Sequence, residues 1–127
     1  MTAHKNQPFI HRLRFALTGL AVGWRNEPNF RFQVYTFIAL VIALILLKVE
    51  PLWWALVLLT SGFVMAAELF NTALEHLADH LHPGTHPRIA IVKDCAAAAV
   101  LMAAGTAVLV GVALVVHLID RYHASST

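Results

Sequence analysis

The feature that most limits how this chain can fold is a pair of apolar runs without a single charge. FQVYTFIALVIALILL runs from Phe32 to Leu47, and LWWALVLLTSGFVMAA from Leu52 to Ala67. A helix needs about 20 mostly apolar residues to cross a hydrocarbon core about 30 Å thick. Phe30 and Val49 extend the first run toward that length. The second continues through helix-forming residues to about His80, and KVEP connects the two. A third run, Cys95 to Ile119, is uncharged and interrupted only by His117. Its small residues, CAAAAVLMAAGTAVLVG, allow helices to approach closely in lipid. Trp53 and Trp54 sit where an interfacial aromatic belt belongs. Only 13% of the 127 residues are charged, against about 25% in soluble domains. The chain reads as an all-α integral membrane protein with one domain over 1–127.

Ahead of the spans, FIHRLRFALTGLAVGW (9–24) places Phe9, Leu13, Leu17, Leu20 and Trp24 at helical steps of three or four, with His11, Arg12, Arg14 and Thr18 off that stripe. This pattern predicts an amphipathic helix lying on the membrane surface; the plain alternative is a soluble surface helix. Spans are expected at about 30–49, 52–80 and 92–119, with LHPGTHP breaking the chain between the last two. Lys5, Arg12, Arg14, Arg25, Arg31, Arg88 and Lys93 fall on one side of the membrane, Lys48 and Arg121 on the other. The excess of basic residues assigns the N-terminus and the 81–94 loop to the cytoplasm. A net charge of +2 gives no case for nucleic acid. The single cysteine, Cys95, excludes an internal disulfide, and the N-terminus lacks the pattern of a cleaved signal peptide.

A chain that avoids charge nevertheless places four polar residues in ELFNTALEHLADH, 68–80. At 100° per residue, Glu68, Asn71, Glu75 and Asp79 fall within roughly 80° of one another, one stripe along the inner half of the second span. An acid at bilayer depth costs on the order of 3 kcal/mol, so the stripe must face protein, water, a cation or a substrate. Three readings are open on these residues alone: a Mg²⁺ site that bridges to phosphates, a cation or proton pathway in a small transporter, and polar glue in a membrane assembly protein. No Gly-rich phosphate loop and no dinucleotide-binding fingerprint is present. His76, His80, His82 and His86 offer a zinc reading beside a plain headgroup-facing loop.

The residues together resemble the prokaryotic diacylglycerol kinase family, which includes undecaprenol kinases. The resemblance rests on Glu-x-x-Asn-Thr-Ala-Leu-Glu-x-x-x-Asp at 68–79, His86, Lys93-Asp94-x-Ala-Ala-x-Ala-Val, NEPNFR at 26–31 and Gly19. It covers about residues 9 to 116. It implies a homotrimeric lipid kinase of the bacterial cytoplasmic membrane, with active sites shared between subunits, ATP with Mg²⁺ as phosphoryl donor and a membrane lipid alcohol as acceptor. Carried over by position, Glu68 resembles the catalytic base, and Glu27 and Glu75 the metal ligands. Gly84, Thr85, His86, Lys93 and Asp94 resemble nucleotide-contacting positions. Trp24, Asn29, Phe30 and Arg31, with Glu68, resemble the lipid-binding entrance, and Asn71 and Asp79 support the motif. Some diacylglycerol kinases carry a basic residue where this chain has Ala21. Asn29–Arg31 and His86–Pro87 look more like the undecaprenol kinase branch, which favours undecaprenol over diacylglycerol as acceptor. The chemistry is coherent with the stripe: a lipid hydroxyl needs a positioned base, and Mg²⁺ with Lys93 would reconcile carboxylates with an anionic nucleotide.

Overall fold

A computed structural model describes residues 8–126. Lys5, counted above for topology, and Thr127 of the polar tail lie outside the described residues. Four helices follow one another: α1 (Phe9–Asn26), α2 (Pro28–Leu47), α3 (Pro51–Leu81) and α4 (Pro87–Ser125). The last three begin with proline at the first helical position. There its missing N–H costs nothing and its fixed φ suits a helix start. Pro87 therefore starts α4 rather than merely breaking the chain, and IAIV joins the helix. This is why α4 reaches further than the span expected at 92–119, and it continues through Asp120 to Ser125.

Three helices, α2 to α4, are long and apolar enough to cross a membrane. Three helices of this length and apolarity make this a multi-pass membrane protein. Its burial pattern agrees: large apolar residues such as Phe63, Leu101 and Leu109 are exposed, while Glu68 and Thr72 are buried. α1 carries its apolar stripe outward too. Phe9, Leu13, Leu17, Leu20 and Trp24 are all exposed, so no protein core claims the stripe and a lipid surface suits it. α1 is anchored at its C-terminal end, where Gly23 is buried against Leu69 and Phe30.

At the opposite end of the bundle, Leu44, Val49, Val57 and Leu114 form the apolar core, with Trp53, Trp54 and Leu118 against it. α2 ends there on Lys48, whose backbone is left-handed (φ 48°, ψ 52°). Arg121 of α4 stabilises this turn, donating to the Leu47 carbonyl at 2.7 Å and the Lys48 carbonyl at 3.3 Å. Glu50 completes the cluster, 3.0 Å from His117 and 3.7 Å from Arg121. Its own backbone N–H, then the His117 hydrogen bond, hold its carboxyl below the ordinary carboxylate range. Lys48 and Arg121, the two cations assigned to one side from sequence, are thus neighbours in space.

Candidate active site

α3 carries the acidic stripe. Glu68 lies deepest and is only 4% exposed. It lines a cleft walled by Asn29, Gln33 and Thr36 of α2, Ser61 and Val64 of α3, and Val100 and Ala104 of α4. Apart from Glu68 the walls are uncharged, and Phe32, Phe37 and Leu40 give them a largely apolar surface. Such a groove suits a lipid chain running beside a carboxylate. Gln33 donates Nε2–H to Glu68 Oε2 at 3.3 Å.

One turn along, Asn71 donates Nδ2–H to Glu75 Oε1 at 3.1 Å. Asn71 therefore orients Glu75, which gives the supporting position a physical role. A further turn along, Lys93 of α4 pairs with Asp79. That pair ties α3 to α4 beside the 82–86 connection. A second cleft opens here, lined by Asp79, His82, Gly84, Thr85, His86 and Lys93. His86 caps α4: its Nδ1 accepts the Arg88 N–H at 3.2 Å, and its ring stacks on His82 at 5.5 Å. Gly84, Thr85, His86 and Lys93, singled out in the sequence, are thus brought together. Asp94, the fifth of that group, is exposed and does not line this cleft.

The residues compared with a lipid entrance part company. Asn29 lines the Glu68 cleft. Phe30 is 4% exposed and packs beneath Gly23. Arg31 donates to the Trp24 and Arg25 carbonyls at 3.1 and 3.2 Å, closing the open C-terminal carbonyls of α1. Trp24 meets Tyr35 edge-on, with ring centroids 5.6 Å apart. Glu27 is the extended residue between α1 and α2 and, with its carbonyl, starts α2. Among the described residues, no three acidic, histidine or cysteine side chains converge as a ready-made metal cage. Sequence reasoning passed over Gln33. Its signal was faint: a carboxamide inside the uncharged run of α2, one turn from Asn29.

The profile of prokaryotic diacylglycerol kinase matches residues 14–115. A diacylglycerol kinase of Synechocystis sp. is 42% identical over 99 residues, covering 77% of this chain and 57% of that protein. An undecaprenol kinase of Bacillus subtilis is 32% identical over 103 residues, covering 81% of this chain and 80% of its own length. A diacylglycerol kinase of Escherichia coli is 30% identical over 95 residues, covering 75% and 78%. The chain thus spans little more than half of the Synechocystis relative and about four fifths of the other two.

Proposed function

We propose that this chain, which belongs to the prokaryotic diacylglycerol kinase family, transfers the γ-phosphoryl group of ATP to the hydroxyl of a membrane lipid alcohol. Family membership carries the reaction class, lipid phosphorylation by a kinase. The observation that carries it onto these residues is the buried carboxylate of Glu68 at the wall of an apolar cleft. A hydroxyl bound there meets a base in a setting that excludes water. Glu68 takes the hydroxyl proton as the oxygen attacks the γ-phosphorus, and ADP leaves with the electron pair of the broken P–O bond. A positioned base accounts for about 10²–10⁴ of the rate.

The second cleft supports nucleotide binding. Gly84 and Thr85 line it, and Lys93 supplies a fixed positive charge to a phosphate there. Mg²⁺ fits this chemistry. It takes oxygen ligands and needs only one or two carboxylates beside phosphates and water; a closed cage of protein ligands is therefore not required. Glu75, oriented by Asn71, and Glu27 would hold it. When bound it neutralises the charge on the phosphate oxygens. The basic residues of the N-terminal region and of the 81–94 loop support a cytoplasmic ATP side. A homotrimer with shared sites is part of the same reading. The exposed Asp94, outside the cleft of its own chain, is suited to complete a neighbour's.

The acceptor is undecaprenol or diacylglycerol. Asn29–Arg31 and His86–Pro87 favour undecaprenol, whereas the relatives carry both names, with the higher identity on a diacylglycerol kinase. Purified protein given ATP, Mg²⁺ and each lipid in parallel decides this. Faster turnover of undecaprenol is expected. Equal or faster turnover of diacylglycerol reverses the preference, and turnover of neither overturns the kinase reading.

A further inference from the structure

Gln33 is the side chain that hydrogen-bonds the buried carboxylate, reaching Glu68 Oε2 from α2 at 3.3 Å. Its other end has no partner among the described residues, as also holds for Asn71 Oδ1 and Thr72 Oγ1 on α3. Gln33 Oε1 is buried and meets no donor among the described residues. An amide placed only to join two helices has both ends satisfied, because a buried unpaired acceptor is destabilising. The spare oxygen is thus open to a donor that binds or forms during the reaction. Glu68 is also the sole titratable residue lining the cleft. α4 approaches the cleft through Val100 and Ala104, and α1 approaches α3 through Gly23 against Leu69. Neither contact brings a charge to the cleft wall.

We propose that Gln33 is the positioning residue for Glu68, serving it before and after proton transfer. Before transfer, the Nε2–H fixes Oε2 and leaves Oε1 of Glu68 to face the lipid hydroxyl. In the step, the lipid O–H bond breaks and its proton goes to Glu68. The lipid oxygen bonds the γ-phosphorus, and the bond to ADP breaks with its electron pair on ADP. Glu68 is then a donor. A half-turn of both planar groups, the Glu68 carboxyl and the Gln33 carboxamide, then brings the new O–H against Gln33 Oε1, which accepts it. A carboxamide can do this because it is donor and acceptor on one planar group. The proposal rests on the lipid-kinase reading.

The test uses purified full-length protein carrying Gln33→Met, Gln33→Glu or, as a control outside both clefts, Thr106→Val. The ¹³C carboxyl resonance of Glu68, assigned by its loss in Glu68→Gln, is read without substrates. Lipid-dependent turnover is read with ATP and Mg²⁺. Gln33→Met is expected to move the resonance and lower kcat about 10- to 100-fold, the scale of one hydrogen bond to a charged group. KM for ATP should stay constant, and Thr106→Val should do neither. Gln33→Glu should gain on Gln33→Met as pH falls, because the introduced carboxyl donates only when protonated. An unmoved resonance, or unchanged kcat in Gln33→Met, overturns the positioning role. Loss of activity with equal rises in both KM values does the same. If Gln33→Met fails to assemble, the pH-dependent recovery of Gln33→Glu against wild type decides alone. A wild-type protein without lipid-dependent turnover overturns the kinase reading and the proposal with it, while the resonance still reports the contact.

Discussion

Replacing Glu68 by Gln removes one basic oxygen and one charge at nearly constant volume. Glu68 is 4% exposed and accepts from Gln33. The introduced carboxamide keeps an oxygen for that bond, so the helix packing should survive. Turnover should fall about 10²–10⁴-fold, the usual loss for a general base and about 3–5 kcal/mol of barrier. Nucleotide affinity should move the other way or not at all. Glu68 and Glu75 are seven residues apart, about 10 Å along the helix axis. Across that distance, a carboxylate repels one nucleotide charge by about 1.7 kcal/mol at an effective dielectric of about 20. Removing it leaves nucleotide binding unchanged or tightens it by up to about 20-fold, less in salt.

Glu75→Gln should do the opposite. It removes a hard oxygen from the phosphate end and leaves Asn71 with a neutral partner in place of a carboxylate. Mg²⁺-nucleotide binding should weaken, with activity partly restored by higher Mg²⁺. The assay measures nucleotide affinity and lipid-dependent turnover across a Mg²⁺ series, after assembly of each variant is confirmed. Lost nucleotide binding in Glu68→Gln with binding retained in Glu75→Gln would exchange the two roles. Normal turnover in both would make the stripe structural glue.

Three further outcomes are expected. A Cβ on Gly23 would lie 2.5 Å from Leu69 Cδ2 and 3.5 Å from Phe30. Gly23→Ala should therefore cost about 1 kcal/mol, the low end for overpacking because a leucine methyl can shift; an unchanged melting temperature would refute the close α1–α3 contact. Glu50 lies in the connection between α2 and α3, and its carboxyl is held below its ordinary value by its backbone N–H and by His117. The stability it contributes is present above the unfolded carboxyl's pKa and lost as pH falls through the lower folded one. The acid side of the stability profile, below about 4.5, should flatten in Glu50→Gln; an unchanged slope in thermal melts would remove the ionic contribution of the cluster. Thr85→Cys, with Cys95 replaced, should resist impermeant thiol reagents in intact cells and react in inverted vesicles. Labelling from outside would reverse the orientation and the route of ATP.

The helices were legible because lipid simplifies the pattern: long uncharged runs leave few alternatives. Where α4 begins was less legible. Pro87 reads in the sequence as a breaker, and only the capping His86 and the apolar IAIV make it a first helical residue. The depth order of Glu68, Glu75 and Asp79 follows from spacing along one helix. Gln33 does not, since its importance comes from a contact across 35 positions of sequence. Arg31 was legible as a conspicuous cation but not as a cap on α1. A charge in sequence does not reveal whether it will face a substrate or a neighbouring helix end. The pairing of Lys93 with Asp79 joins residues assigned separate jobs, and only the antiparallel packing of α3 and α4 brings them together.

Helix lengths explain why the chemistry sits where it does. α2 has 20 residues, about 30 Å, and so just spans the hydrocarbon. α3 has 31, about 46 Å, and overshoots by about three turns. Counted from Pro51, the hydrocarbon accounts for about 20 residues and ends near Phe70. Glu68 then falls within the last apolar turn, where a lipid hydroxyl can reach it. Glu75 and Asp79 project beyond, into the layer where phosphates and Mg²⁺ are soluble. α4 overshoots as well, with 39 residues, which keeps Lys93 level with Asp79. A helix pair trimmed to bilayer thickness would hold the lipid end or the nucleotide end of this site, not both. On the proposed reading the excess length bridges two solvents, with Glu68 on the lipid side of that boundary and Glu75 on the nucleotide side.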